Sequence, residues 1–260
     1  MRMLAAVVRD FLSWSRRRPH DVLAGDGENP LVDYLQRNPD GRLLHKWRHY
    51  FEIYHRHFAR FRGQTLTMIE VGVFNGGSLP MWRDYLGPNA KIVGVDINPE
   101  CEKFSDEGID VVIGDQADRA FLRSLYDRYP DVAILLDDGG HRMHQQIATF
   151  EELYPRLRQD GVYMCEDTHT SYLPLFGGGY QQPNTFIEAV KPLIDRLHAF
   201  HVNQGQLSPD DFTRTTDSIH FYDSVVVIEK KARSQPQDVT FGRIVDMHYI
   251  GPSLSGGRNP

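Results

Sequence analysis

Two acidic clusters stand out for the chemistry they could do together. Asp137-Asp138-Gly139-Gly140-His141 follows the apolar run 132–136, and Glu166-Asp167-Thr168-His169-Thr170 follows the apolar run 162–165. Short continuous apolar runs of this kind suit buried parallel strands. If the two runs are parallel neighbours, both acidic loops open on one edge of a sheet, where open α/β sheets bind their ligands. Asp138, Glu166 and Asp167 then converge, although 28 positions separate the first two. Crowded carboxylates need a cation or protons to relieve their repulsion. An all-oxygen donor set suits a hard divalent ion, most simply Mg²⁺. His141, three positions after Asp138, would stand beside that ion as a candidate base. His144, one helical turn further on, is the alternative. An Asp-Asp-Gly turn after a strand also serves as an ordinary helix cap. The second acidic pair, at a second strand end, tips the balance toward a metal site.

A glycine turn lies upstream. The strand-like run 67–74 contains Glu70 and Gly72 and leads into Asn75-Gly76-Gly77-Ser78 and a helix through about residue 85. Such a turn lets backbone approach a ligand at a helix N-terminus. Its spacing, Glu-x-Gly-x-x-x-Gly-Gly-Ser, differs from the Gly-x-Gly-x-x-Gly of nicotinamide sites. A second strand, 91–96, ends in Asp96, 26 positions after Glu70. An acid there is placed to accept hydrogen bonds from ribose hydroxyls. A third strand, 111–116, ends in Asp115-Gln116, and Asp115 can reach an adenine amino group. Single strand-end acids are usually turn formers, but three in register after a glycine turn favour a nucleoside site.

The remaining elements must position these groups. Leu43, Leu44, Trp47, Tyr50, Phe51, Tyr54 and Phe58 recur at helical spacing, which predicts a helix over 43–62 lying across the crevice as a lid. Lys46, His45 and His49 on it are candidates for a role at the site. A short helix is expected near residues 31–35 between turn clusters. After His141 a helix is expected through about residue 156, with Met143, Ile147, Phe150, Leu153 and Tyr154 facing the sheet. The stretch 171–184 is long, glycine-rich and aromatic, as site-covering loops are. A helix over 185–200 should kink at Pro192. Runs 218–222 and 225–230 are expected to complete the sheet at its end.

Composition bounds the rest. The 260 residues, 40% of them hydrophobic, suffice for one large core. A net charge of −6 gives no nucleic-acid footprint. Cys101 and Cys165 have no Cys-x-x-Cys spacing, so neither a zinc site nor a disulfide scaffold is indicated. No stretch approaches a transmembrane span. The N-terminal run is interrupted too early for a signal peptide, and a soluble, cytoplasmic protein is expected. Phe11, Leu12 and Trp14 near Arg16-Arg17-Arg18 leave open an amphipathic surface helix. The expected division is a leader with a helical lid over 1–62, a catalytic domain over 63–232, and a Gly, Pro and Ser-rich tail over 233–260.

The glycine turn and ordered strand-end acids over about 66–230 resemble class I S-adenosylmethionine-dependent methyltransferases. That resemblance implies a Rossmann-like α/β fold, a mostly parallel seven-stranded sheet flanked by helices. More narrowly, Leu-Asp-Asp-Gly-Gly-His (136–141), Cys-Glu-Asp-Thr-His-Thr-Ser-Tyr (165–172) and Lys-Trp-x-His-Tyr (46–50) resemble the metal-dependent sugar O-methyltransferases of macrolide biosynthesis. Related mycobacterial enzymes act on methylmannose polysaccharides. The larger auxiliary N-terminal domain of the macrolide enzymes is not evident in this sequence. The resemblance implies that Asp138, Glu166 and Asp167 bind Mg²⁺, with His141 as base. It assigns Glu70, Gly72, Asn75, Ser78, Asp96, Asp115 and Gln116 to S-adenosylmethionine, with Asp137 near its methionine end. It also implies a sugar or glycoside acceptor and a homo-oligomer, dimer or tetramer. The alternatives are a metal-dependent O-methyltransferase of a phenol or other small natural product, an iron- and oxygen-dependent hydroxylase, and a cofactor-binding scaffold without chemistry.

Overall fold

The computed structural model describes residues 29–202 and 205–243. The N-terminal cluster at 11–18 and the tail beyond 243 lie outside the described residues. Helix α1 (Pro30–Arg37) starts where Asn29 accepts the Leu31 amide at 3.1 Å, with proline in the first turn. The Asn29 amide also donates to the Phe51 carbonyl, fastening α1 to α2 (Tyr50–Phe58). Then follow β1 (Leu66–Val71), α3 (Ser78–Leu86), β2 (Ala90–Asp96), β3 (Ile109–Ile113) and α4 (Arg119–Arg128). After these come β4 (Val132–Asp137), α5 (Met143–Leu153), β5 (Val162–Cys165), α6 (Phe186–Val190) and α7 (Leu193–Leu197). Helix α8 (Asp211–Thr215), β6 (Thr216–Tyr222) and β7 (Val225–Lys230) close the described chain.

The strands form one seven-stranded sheet in the order β3-β2-β1-β4-β5-β7-β6. Strands β1 to β5 pair in parallel, while β7 pairs antiparallel with both β5 and β6. Strands β4 and β5 are parallel neighbours, with Asp137 opposite Cys165. Every residue of β1, β4 and β5 is buried, as expected of central strands covered on both faces. One core holds Leu31, Tyr54, Phe58 and Trp82; the other holds Leu135, Leu153, Tyr163 and Phe186. Each side chain fully buried in this way contributes about 1.5–3 kcal/mol.

The expected α/β architecture and the strands at 91–96, 132–136, 162–165, 218–222 and 225–230 agree with what is observed. The helix expected over 43–62 does not. It begins only at Tyr50, and 43–47 carry no regular structure. Leu43 and Trp47 are 44% and 55% exposed instead of joining the aromatic stripe. Among the contacts that hold this segment extended, Lys46 reaches into the acidic strand ends, and the Leu43 carbonyl packs where a β-carbon on Gly77 would stand. The helix expected over 185–200 is divided at Pro192 into α6 and α7, because proline removes a helical amide donor. Helix α5 buries Gln146 and Thr149, while Ile147 and Phe150 are half-buried. Among the described residues, no helix is long and apolar enough to cross a membrane.

Helix α2 is tied to the antiparallel edge by a polar clamp. His57 lies 2.6 Å from the Glu229 carboxylate and 2.9 Å from the Tyr222 hydroxyl, and Arg60 donates to Glu229 at 2.9 Å. His57, His220 and Glu229 have the donor types for a metal, but Arg60 already neutralises the carboxylate. Burial pushes the Glu229 carboxyl up, yet the hydrogen bonds from His57 and Arg60 outweigh it and hold it at about 2. A depressed carboxyl stabilises the fold fully above its unfolded value, and that stability is lost as pH falls through the folded value. Glu229→Gln should therefore cost about 1.5–3 kcal/mol at neutral pH. It should also flatten the stability profile between about pH 4.5 and 2, and thermal melts of both proteins across that range check this.

Candidate active site

A cavity of about 450 Å³ opens at the carboxyl ends of the central strands, within the size range of small-molecule sites. Gly72, Asp96, Gln116, Asp138, His141 and Asp167 are among the residues that wall it. Gly72 has φ +98°, and a β-carbon there would stand 2.0 Å from the Asp138 carbonyl oxygen. Only glycine meets both demands, so the β1 turn and the β4 loop touch backbone to backbone. Asp96 accepts the amides of Val73 (2.9 Å) and Phe74 (3.1 Å) on one oxygen and that of Asn98 (2.8 Å) on the other. It thereby pins the glycine turn from the tip of β2. Phe74, His141 and Asp167 all have φ near +50°. Positive φ in non-glycine residues is costly and clusters at functional sites.

Beside the cavity the carboxylates crowd around one cation, and it is Lys46. Its side chain is 4% exposed, and its ammonium lies 2.5 Å from Asp138, 3.1 Å from Glu166 and 3.5 Å from Glu70. Burial would lower the Lys46 pKa, but Asp138, Glu166 and Glu70 raise it well above the ordinary value, so the group is an ammonium. Burial and the Asp138 charge push the Glu166 carboxyl up, against Lys46 and a hydrogen bond from Tyr54. The Tyr54 hydroxyl donates to Glu166 at 2.5 Å, and the Tyr50 hydroxyl donates to Asp167 at 2.7 Å. Burial and these acids raise both phenols above their usual range, which keeps them as donors. Gln146 donates to the Glu166 carbonyl at 3.1 Å. His141 Nε2 faces Asp167 at 3.5 Å and Asp138 at 3.9 Å, and its buried Nδ1 has no hydrogen-bond partner.

Donor atoms of Asp138, His141 and Asp167 lie within 4.8 Å of one another. An oxygen-rich, partly buried set of this kind fits a hard divalent cation. The cavity, with its glycine wall at Gly72 and Gly139, fits a ligand that needs close backbone approach.

The residues singled out in the sequence fall into three groups. Gly72, Asp96, Gln116, Asp138, His141 and Asp167 stand on the cavity wall. Glu70, Ser78, Asp137 and Glu166 lie behind it, each less than a tenth exposed. Ser78 donates to Glu70 at 2.6 Å. Asp137 accepts from Gln116 at 2.6 Å, and burial raises its pKa to about 6. Gln116 also donates to Thr149 and accepts the Gly140 amide, so its side chain braces the β4 loop. Asn75, Asp115 and His144 are exposed. Asp115 caps its own turn through the Ala117 amide, and His144 borders a separate depression with Met143 and Phe176. Tyr50 and Tyr54 read as packing residues in the sequence, and Gln146 was not singled out. The available signal was that tyrosines recur one helical turn apart where phenylalanine would pack as well.

No family model matches the chain. It is 34% identical over 228 residues to the 8-demethyl-8-alpha-L-rhamnosyl tetracenomycin-C 2'-O-methyltransferase of Streptomyces olivaceus, covering 79% of this chain and 60% of that protein. It is 33% identical over 235 residues to the mycinamicin VI 2''-O-methyltransferase of Micromonospora griseorubida, covering 85% of this chain and 58% of that one. Among solved structures, the MycE methyltransferase of the mycinamycin pathway, in complex with Mg and SAH, superposes with a TM-score of 0.70. Identity is 30%, covering 83% of this chain and 58% of MycE. The chain carries the class I methyltransferase fold and is homologous to these sugar O-methyltransferases. It spans 48–60% of the length of the curated relatives it matches. The fold implied by the glycine turn and strand-end acids is therefore that of the methyltransferase relatives.

The Gly72 contact generates a direct test. Gly72→Ala should destabilise the protein by about 1–3 kcal/mol from backbone strain alone, with a steric term added. A melting temperature equal to wild type would show that the β1 turn and β4 loop are not in contact.

Proposed function

We propose that this protein transfers the methyl group of S-adenosylmethionine to a sugar hydroxyl of a glycan or glycoside, with Mg²⁺ as metal cofactor. The observation that carries this reading is the meeting of Asp138, His141 and Asp167 beside a glycine-walled cavity, with Glu166 joined to Asp138 through Lys46, in a fold that superposes on a methyltransferase relative. Asp138, Glu166 and Asp167 would hold the divalent ion, and Gly72, Asp96 and the adjoining turn would hold the cofactor. When bound, the cofactor supplies a methyl on a sulfonium, and the ion stabilises the charge that develops on the acceptor oxygen.

The chain's own residues do the rest. A sugar hydroxyl holds its proton far above neutral pH, so a base must take it as the new bond forms. His141 Nε2 is the group for that, 3.5 Å from Asp167 and 3.9 Å from Asp138. The Phe176 ring, 6.3 Å from the His141 ring, covers the base. Trp47 meets His169 edge to face at 6.2 Å and is exposed, as are Tyr172, Leu175 and Tyr180. These exposed side chains would form an acceptor rim that suits a sugar attached to a larger apolar aglycone. A cytoplasmic homo-oligomer completes the reading, and the two buried free thiols are consistent with a reducing compartment.

The decisive assay is methyl transfer from labelled cofactor to a panel of rhamnosyl, macrolide and methylmannose glycosides, with and without EDTA. Chelation should abolish transfer, and undiminished activity in EDTA would reject the metal role. His141→Ala should reduce turnover by about 10²-fold or more, while His144→Ala should stay near wild type. The opposite ranking would move the base to His144.

A further inference from the structure

The cation at the centre of the acidic cluster is part of the chain itself, on a segment that touches both the cavity and the acceptor rim. Lys46 belongs to the irregular stretch 43–47. Its neighbour His45 walls the cavity, and its neighbour Trp47 packs on His169. Leu43 and Trp47 are exposed, and Leu44 alone of the three large apolar side chains of the stretch packs against the core. The ammonium touches Glu70, Asp138 and Glu166, which come from three different places: β1, the β4 loop and the β5 end. Two of these, Asp138 and Glu166, are residues that would ligate the divalent ion.

We infer that Lys46 is a tethered counter-ion that holds the metal locus closed and is exchanged for the divalent ion, so that ion binding releases the 42–49 segment. This inference rests on the reading of the cluster as a metal site. Two cations a few ångströms apart in a buried site repel each other strongly. The carboxylates, in turn, cannot stay buried together without one cation. Exchange satisfies both conditions, because the acids are neutralised before and after. Release of Lys46 carries His45 and Trp47 with it, so filling the ion site also resets a wall of the cavity and the edge of the acceptor rim. Lys46 is in this sense a positioning residue: it acts through the carboxylates and the segment it anchors.

The test uses the full chain and MgCl₂ alone, without cofactor or acceptor. Isothermal titration gives the Mg²⁺ affinity of wild type, Lys46→Met and Lys46→Arg, and circular dichroism confirms that each is folded. If Lys46 competes with the ion, Lys46→Met should bind Mg²⁺ at least about tenfold more tightly than wild type, and Lys46→Arg should not. Hydrogen exchange should then rise across 42–49 when Mg²⁺ is added to wild type, and be high in Lys46→Met already. Equal or weaker binding by folded Lys46→Met, with wild-type binding intact, would overturn the exchange while leaving the metal site standing. So would unchanged or lower exchange in the segment. Absence of Mg²⁺ binding in wild type and both variants would overturn the metal reading and this inference with it.

Discussion

Like charges converging at the ends of neighbouring strands set the terms for this molecule. Strands β1, β4 and β5 deliver Glu70, Asp138, Glu166 and Asp167 to one edge of the sheet, where Glu70 and Glu166 are fully buried. Two unit charges 4 Å apart cost about 4 kcal/mol even at an effective dielectric of 20. Uncompensated, such a cluster would consume much of the stability of an ordinary domain. Compensation comes from outside the sheet, through the Lys46 ammonium and the hydroxyls of Tyr50 and Tyr54. Helix α2 and the segment before it are thus electrostatic partners of the strand ends as well as a hydrophobic cover.

The same edge concentrates backbone strain. Phe74, His141 and Asp167, from the turns after β1, β4 and β5, hold left-handed conformations. Such residues persist only where surrounding contacts over-determine them. Here the buried Thr170 hydroxyl is within donating distance of both the His141 carbonyl (3.1 Å) and the Asp167 carbonyl (2.7 Å). One side chain therefore couples the loop bearing the candidate base to the loop bearing two candidate metal ligands. A site assembled from distant stretches needs ties of this kind, since a displacement of about 1 Å is enough to spoil aligned chemistry.

What could be read in the sequence follows from the range of the forces involved. Apolar runs such as 132–136 and 162–165 disclose strands because burial on both faces demands continuous hydrophobicity. Their parallel pairing followed from the loops and helix between them. The acids at their ends disclosed a site because sequence order fixes which edge of the sheet they reach. The start of α2 was not legible. The stripe Leu43, Leu44, Trp47 has helical spacing, but a long-range ion pair between Lys46 and Asp138, 92 positions away, overrides that local preference. That Asp137 is committed to a buried hydrogen bond was also hidden. Adjacent strand residues point to opposite faces, so Asp137 turns inward to Gln116 while Asp138 stays at the cavity. Gln116, read as a cofactor contact, has its amide spent on Asp137 and Thr149.

This division also bears on where specificity resides. The strand ends fix Asp138, His141 and Asp167 within a few ångströms, and under the proposed function any acceptor hydroxyl brought there would meet the same candidate base and the same acids. Nothing in that arrangement distinguishes one sugar from another. The residues that differ in chemistry from a plain core are in the 43–47 stretch and the 171–184 loop, where Trp47, Tyr172, Leu175 and Tyr180 stand exposed. Loops on a rigid scaffold can change such side chains without disturbing the strands. Under the proposed function, acceptor choice would fall to these two segments, and one of them is anchored by Lys46, which neutralises the buried acids. The charge balance of the acidic cluster and the exposed Trp47 thus lie on a single stretch of chain.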